Sequence, residues 1–130
     1  MPSKIEFPFS DDEALPTIPI TLSHAGFSVS ANALLDTGSA VNLLPYDIGL
    51  QLGAIWEEQT VRLPLTGNLA RVEARGVFVH VQIGNLEPVR LAFAWAQSSQ
   101  VPLILGQTNF FLEFDVCFQR SRSTIEIIRF

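Results

Sequence analysis

The chain has 130 residues, of which 48% are hydrophobic and only 16% are charged, and its formal net charge is −5. This length and composition predict one domain with a sizeable core and exclude a largely disordered chain. The acidic balance argues against nucleic acid or an anionic membrane as a partner, and no apolar run reaches the roughly 18 residues that a membrane-spanning helix needs.

The cysteine and histidine content gives little support to redox or metal chemistry. Cys117 is the single cysteine, so it cannot form an internal disulfide, and its apolar neighbours predict a buried structural thiol. His24 and His80 lie far apart in the sequence without a cysteine cluster, so we expect no metal site and no cofactor. The first residues lack a charged-then-apolar signal pattern, and we therefore expect a cytoplasmic protein.

An N-terminal arm of 15 residues is predicted to precede a domain at residues 16–130. Apolar residues of the arm alternate with charged or proline residues, which is typical of an edge strand or an extended segment. The acidic run at 11–13 predicts a solvated link. The alternating apolar residues are Ile5, Phe7 and Phe9.

Short strands and two short helices are predicted along the rest of the chain. Pro45 suits the first turn of a helix and Gly53 suits the position after its end, so a helix is expected at 45–52. Thr108 is predicted to cap a second helix that ends at Phe114. The predicted strands span 17–23, 27–30, 33–35, 61–65, 70–75, 77–83, 89–96, 101–105, 116–118 and 124–128.

This pattern predicts an all-β fold, closed into a barrel or packed as a sandwich, with one or two short helices. Large side chains on one face of 89–96 and alanines on the other indicate a strand that is covered on both sides. His80 is expected on the less buried face of its strand, which makes a catalytic role unexpected. The strands at 61–65 and 70–75 are predicted to form a hairpin with its tip at Thr66-Gly67-Asn68.

Asp36 is the one charged residue of a largely apolar stretch between Ala33 and Pro45. A carboxylate at the end of a buried strand loses solvation and needs hydrogen bonds, a partner charge or a proton. Asp36-Thr37-Gly38 is also compatible with an ordinary turn. Its apolar flanks, however, favour a loop held against a core, whereas ordinary turns are polar and exposed.

The stretch Ala33-Leu34-Leu35-Asp36-Thr37-Gly38-Ser39 resembles the active-site loop of the aspartic proteases. The short chain is similar to their single-lobed, retropepsin-like branch. Val101-Pro102-Leu103-Ile104-Leu105-Gly106 provides a second match, to the apolar strand ending in glycine that precedes the C-terminal helix of that family. The resemblance runs from Ile18 to the C-terminus, and it implies a closed, barrel-like retropepsin fold and an aspartic endopeptidase.

The chemistry of that family requires two carboxylates that share a proton, whereas this chain has only one in a suitable motif. The resemblance therefore implies a homodimer in which a two-fold axis brings two copies of Asp36 together around a peptide substrate. The apolar alternations of both termini, including Ile125, Ile127 and Phe130, are expected to supply interface strands. The catalytic residues implied are Asp36, Thr37 and Gly38. The substrate-binding residues implied are Gly38, Ser39, Ala40, Thr66, Gly67, Asn68 and Ile104.

The hairpin tip matches the substrate-covering flap of the family by position, although an ordinary exposed hairpin is equally compatible with the sequence. Thr37 is expected to tie the two active-site loops across the axis. The Ser39 hydroxyl is expected to donate to the Asp36 carboxylate, the alternative being that it only caps the backbone of the loop.

Two positions depart from many viral members, which carry an acid after the Ser/Ala position and an arginine after the late glycine. Ala40 and Gln107 occupy these positions here, and the chain is therefore expected to be closer to cellular or bacterial members. The leading hypothesis is an active homodimeric aspartic endopeptidase. The alternative is a catalytically silent retropepsin-like module that binds peptides or dimerises.

Overall fold

The computed structural model describes residues 2–8 and 16–129, which form ten strands, two short α-helices and three single 3₁₀ turns. The first strands are β1 (Ser3–Pro8), β2 (Thr17–His24), β3 (Phe27–Leu35), β4 (Asn42–Leu44) and β5 (Arg62–Leu63). The others are β6 (Ala74–Gln82), β7 (Val89–Ala96), β8 (Ile104–Leu105), β9 (Asp115–Gln119) and β10 (Thr124–Arg129). The helices are α1 (Tyr46–Gln51) and α2 (Phe110–Glu113), and the 3₁₀ turns are Trp56–Glu58, Gly67–Leu69 and Arg120–Arg122.

Six strands close into a barrel. The ring runs β2-β3-β8-β4-β7-β6 and returns to β2, because β6 pairs with both β7 and β2. β5 extends the sheet beyond β6. The pairs β3–β8 and β4–β7 are parallel, and the other pairs are antiparallel. The predicted all-β, closed barrel-like fold with two short helices is confirmed.

β7 passes between two apolar clusters, as the alternation of large and small residues predicts. Leu91, Phe93 and Trp95 are buried in the main core, whereas Ala94 and Ala96 are buried in a second, smaller cluster. The second cluster is made of Leu43, Leu65, Ala74, Ala94, Ala96, Val101 and Ile104. His80 is exposed on β6, as predicted.

A separate sheet joins the two ends of the chain in the order β1-β10-β9. β1 pairs antiparallel with β10, from Ser3 opposite Arg129 to Pro8 opposite Thr124. Ile125 and Ile127 of β10 are fully buried. The predicted features at Phe9, 11–13 and Phe130 lie outside the described residues, and the place of the arm in a dimer stays a prediction.

Cys117 is exposed, so the prediction of a buried thiol is wrong. It lies in β9 at the edge of the terminal sheet, opposite Glu126 of β10. Because successive side chains of a strand point to opposite faces, apolar neighbours in the sequence do not bury the residue between them.

Several predicted boundaries are also wrong. The strands predicted at 27–30 and 33–35 form one continuous strand, β3. β5 has only two residues, since Pro64 has no N–H to continue the pairing. The strand predicted at 101–105 is reduced to β8, although Val101 and Leu103 are buried.

Thr108 does not cap α2, contrary to the prediction. Asn109, with a φ of 68°, precedes the helix, and its side-chain oxygen accepts a hydrogen bond from Ala92 N instead of capping α2. The Thr108 hydroxyl donates to the Ala40 carbonyl. Helix α1 agrees with the prediction within a residue at each end. In the part of the chain that the structure describes, no helix has the length and apolar content needed to cross a membrane.

Helix α1 packs against an aromatic cluster through Gly49. Trp95 stacks on Tyr46 with ring centroids 5.5 Å apart and meets Trp56 edge-on at 5.2 Å. The Trp95 indole N–H donates to the Tyr46 carbonyl at 3.2 Å. A Cβ on Gly49 would overlap the Trp95 indole ring, so the absence of a side chain sets how closely the helix approaches the barrel.

We expect Gly49→Ala to destabilise the fold by on the order of 1–3 kcal/mol, because the added methyl overpacks against Trp95. The direction of this change in stability is informative, because Gly→Ala at an unconstrained position inside a helix stabilises the folded protein by about 1 kcal/mol. Urea unfolding measures the difference. Gly76→Ala is the matched control, because its nearest atoms lie 3.7 Å from the new Cβ and leave room for it. A Gly49→Ala chain as stable as wild type would contradict the close packing.

Candidate active site

Asp36 directly follows β3 and is held there by its backbone. β8 lies between β3 and β4, and the loop of residues 36–41 crosses from one to the other. Asp36 N donates to Leu105 O at 3.1 Å, which continues the pairing of β3 with β8 by one residue. Leu35 is 3% exposed, whereas Asp36 is only partly buried. The carboxylate therefore emerges from the core at the point where the strand ends.

A tight turn folds the loop back on the carboxylate. Gly38 N donates to Asp36 Oδ1 at 2.9 Å, and Ser39 N donates to Asp36 O at 3.1 Å. A Cβ on Gly38 would lie 3.1 Å from Asp36 Oδ1, so a side chain there would crowd the carboxylate. The residues of the candidate site therefore also form a tight turn, so the two interpretations that the sequence offers are compatible.

Residues 106–108 hold the loop from the opposite side. Gln107 N donates to Ser39 O at 2.9 Å, and Thr108 N donates to Ala40 O at 3.0 Å. The Gln107 side-chain amide donates to Thr37 O at 2.8 Å. A Cβ on Gly106 would lie 2.7 Å from Ser39 O and closer still to Val41 O. The close approach of the two segments therefore requires a glycine at 106.

Asn42 is a supporting residue that the sequence analysis missed. It is fully buried, yet its Oδ1 accepts from Gly106 N at 2.8 Å and its Nδ2 donates to Ala92 O at 3.0 Å. The side chain thereby links β4 to β7 and to the segment after β8. The sequence offered one signal for this role, an asparagine inside the apolar run at 41–44. A buried side-chain amide needs hydrogen-bond partners, so such a residue is expected to link neighbouring segments.

The Ser39 hydroxyl donates to Val41 O at 2.7 Å and not to the Asp36 carboxylate. The expectation of a bond from Ser39 to Asp36 is therefore wrong, and the alternative, a cap on the loop backbone, is correct. The Thr37 side chain is exposed, and no described residue is hydrogen-bonded to its hydroxyl. Its expected role across a two-fold axis stays a prediction.

Asp36 borders a cavity of about 370 Å³. The loop at 36–41 forms one wall and the segment from Pro64 to Leu69 forms the other. Asp36 is the one ionisable residue among the described residues that line it. The other predicted site residues that line it are Gly38, Ser39, Ala40, Thr66, Asn68 and Ile104. Thr37 and Gly67 do not line it, and the lining residues missed by the sequence analysis are Val41, Leu43, Pro64, Leu65 and Leu69.

The predicted 61–75 hairpin is not extended. Pairing is limited to Arg62 with Arg75 and Leu63 with Ala74, and the connection folds into a 3₁₀ turn at Gly67–Leu69. Gly67 has a φ of +64°, which is easily adopted only by glycine. The connection folds because its apolar side chains pack onto the second cluster. These side chains are Leu65, Leu69 and Val72.

Arg75 anchors the base of this connection. Its Nη1 donates to Trp56 O at 2.8 Å, and its guanidinium carbon lies 4.4 Å from the centroid of the Trp56 ring. Its Nη2 lies 3.3 Å from Glu73 Oε1, and Glu73 is also 3.7 Å from Arg62. These contacts fix the end of the connection to the barrel while leaving its tip at the cavity.

A larger cavity, of about 420 Å³, lies between Phe7 and strands β2 and β3. None of its described lining residues is ionisable, so it has no group for acid–base chemistry. No group of three or more His, Cys, Asp or Glu within residues 2–8 and 16–129 could hold a metal ion. The smaller cavity at Asp36 is therefore the candidate active site.

No protein-family model matches this chain. No curated protein matches it either. Among solved structures, it is similar to the crystal structure of a retropepsin-like aspartic protease from Rickettsia conorii, with a TM-score of 0.71. The two share 15% sequence identity over 99% of this chain and 92% of that chain. The chain therefore has the fold of a retropepsin-like aspartic protease.

Proposed function

We propose that the chain is an aspartic endopeptidase that works as a homodimer, with one Asp36 from each copy. The observation that carries the proposal is the single carboxylate of Asp36, held by Gly38 N–H at the edge of a cavity whose other lining residues, among those that the structure describes, are uncharged. The likeness to the Rickettsia protease supports the fold in which such a site would work. From Ala40 and Gln107 we propose that the chain is closer to cellular or bacterial members of that fold than to viral ones.

Two carboxyl groups perform this hydrolysis by acting in opposite protonation states. The ionised Asp36 takes a proton from a water molecule, whose oxygen attacks the peptide carbonyl carbon. The protonated Asp36 of the other copy donates its proton to the carbonyl oxygen, giving a tetrahedral diol. A carboxyl then protonates the amide nitrogen, a diol hydroxyl loses its proton to the other carboxylate, and the C–N bond breaks.

A dimer supplies the second carboxyl. Asp47 and Asp115 are exposed and lie away from the cavity lining, so no other described aspartate meets Asp36 within one chain. A two-fold axis beside Asp36 would place two identical loops face to face. The exposed side chain of Thr37 is next to Asp36 and is available for a contact across that axis.

The cavity suits an extended peptide with apolar side chains. Its lining combines backbone at Gly38 and Ala40 with the aliphatic side chains of Leu43, Leu65 and Ile104. Backbone groups of the loop can pair with an extended peptide, and the aliphatic wall can take a side chain of the substrate. Thr66 and Asn68 belong to the opposite wall of the cavity, and they are proposed to cover the bound peptide together with Gly67 between them.

The alternative function is peptide capture or dimerisation without turnover, and one observation favours it. The segment opposite Asp36 is folded into a 3₁₀ turn, so it presents fewer free strand groups to hold a peptide over Asp36 than an extended hairpin would, which favours dimerisation without turnover. Binding of a peptide library without cleavage would support this alternative.

We expect Asp36→Asn to reduce cleavage of a peptide library by a factor on the order of 10²–10⁴ or more, because an amide can neither take nor share the proton. Its oxygen can still accept from Gly38 N, so the melting temperature should be retained. Asp47→Asn is the matched control, since Asp47 is exposed on α1 and does not line the cavity. Equal activity of Asp36→Asn and wild type would reject the proposed chemistry.

The dimer is tested by dilution. Specific activity should fall as sedimentation shows dissociation, because each site needs two chains. Adding excess Asp36→Asn chains to wild type should also suppress activity by forming mixed dimers with one carboxyl. Constant specific activity from a chain that sediments as a monomer would rule out the shared site.

A further inference from the structure

Gln107 lies on the far side of the peptide group that contacts the Asp36 carboxylate. The side-chain Nε2 of Gln107 is 2.8 Å from Thr37 O. The same peptide group ends in Gly38 N–H, which donates to Asp36 Oδ1 at 2.9 Å. One amide thus accepts a hydrogen bond from Gln107 at its oxygen and gives one to Asp36 at its nitrogen.

Hydrogen bonds in such a chain strengthen one another. A donor at the carbonyl oxygen draws electron density from the amide nitrogen, so the N–H becomes a better donor. A hydrogen bond from N–H to an ionised carboxylate is also stronger than one to a neutral acceptor. The bond from Gln107 therefore strengthens the hydrogen bond from Gly38 N–H to Asp36 Oδ1 without touching the carboxylate, and it fixes the plane of the Thr37–Gly38 peptide.

The backbone of Gln107 is well placed for this role. Its own N–H donates to Ser39 O, and Gly106 before it packs against the carbonyls of Ser39 and Val41. The Gln107 side chain is therefore presented from a segment that is already fixed against the loop.

No other ionisable side chain lines the described part of the cavity, so the second Asp36 of a dimer is the charged group that would face this carboxylate.

We propose that Gln107 is a positioning residue for peptide hydrolysis, which orients and polarises the Thr37–Gly38 peptide so that its N–H holds one oxygen of Asp36. The inference rests on the proposed function, because the alignment of Asp36 affects turnover only if Asp36 reacts. It assigns to Gln107 the influence on Asp36 that the sequence suggested for Ser39, whose hydroxyl is bonded to Val41 O.

Thr108 provides a structural comparison. Its hydroxyl also joins the segment after Gly106 to the loop, but its acceptor is Ala40 O. That carbonyl belongs to the Ala40–Val41 peptide, which is not bonded to Asp36. Thr108→Val therefore removes one tie between the same two segments and leaves the contact from Gln107 to Thr37 intact.

The experiment compares Gln107→Met, which has similar length but no donor, with Thr108→Val and wild type. In Gln107→Met we expect kcat to fall about three- to tenfold, as loss of one hydrogen bond predicts, with KM little changed. A fall in kcat at nearly constant KM is expected of a residue that aligns Asp36 for reaction without binding the substrate. Gln107→Lys, which restores a donor, should recover kcat, and Gln107→Glu is a second variant without a donor when ionised.

The contact is also measured without activity. The Gly38 amide proton should shift upfield in the NMR spectrum of Gln107→Met and stay in place in Thr108→Val. An unchanged Gly38 resonance and an unchanged kcat in both variants lacking a donor, or equal shifts in Thr108→Val, would overturn the proposal. Wild-type chains that cleave no peptide would instead overturn the proposed function, and the Gly38 resonance would still decide whether Gln107 polarises the peptide.

Discussion

The contact between the loop at 36–41 and the segment at 105–108 is the constraint on which the site depends. The two segments approach so closely that Gly106 cannot carry a side chain. Asp36 N, Gln107 N and Thr108 N each donate across this contact, at 3.1, 2.9 and 3.0 Å. A carboxylate on an isolated turn would sample many orientations. Here the backbone of Asp36 and of the loop that follows is fixed by residues 105–108, which are distant from it in the sequence.

The support behind this contact is polar and includes the fully buried Asn42. Both polar atoms of the Asn42 side chain are hydrogen-bonded, since Oδ1 accepts from Gly106 N and Nδ2 donates to Ala92 O. Its burial therefore leaves neither polar atom without a partner. Asn109 accepts from Ala92 N, and the backbone of Ala92 is thus bonded to both asparagine side chains. Side-chain amides in a core constrain geometry more strictly than apolar groups do, since their bonds are directional. The hydrogen bonds of the two asparagine side chains therefore favour a single arrangement of the backbone that supports the loop.

Local signals were sufficient to predict an all-β fold, closed or sandwich-like, and the place of Asp36 at the end of a strand, whereas the closed barrel was implied by the resemblance to the aspartic proteases. The apolar runs before Asp36 and before Gly106 can be recognised within short segments of the sequence. The alternation of large and small residues in β7 likewise indicates that both faces of this strand are buried. The tip at 66–68 was located correctly, but its conformation was not. It is determined by Leu69 and Val72 packing on the second cluster, which depends on residues distant in the sequence.

Side-chain partners near the carboxylate were the least predictable feature. Ser39 is close to Asp36 in the sequence, yet its hydroxyl bonds to Val41 O. Gln107 is remote in the sequence, yet it reaches Thr37 O because the two segments are brought together by the fold. A flexible polar side chain bonds to whichever acceptor the tertiary structure brings within reach, and the local sequence does not specify it.

The terminal sheet has a consequence for how concentration would control the protein. β1 pairs with β10 of the same chain and covers Ile125 and Ile127, so this part of the core is complete in a single copy. Folding and assembly are then separate equilibria, and a lone chain can remain folded while it has only half of the proposed acid pair. The number of competent sites would rise with the square of chain concentration in the dilute regime, whereas the folded fraction would not. Expression level alone would then change the activity per chain, in proportion to the chain concentration.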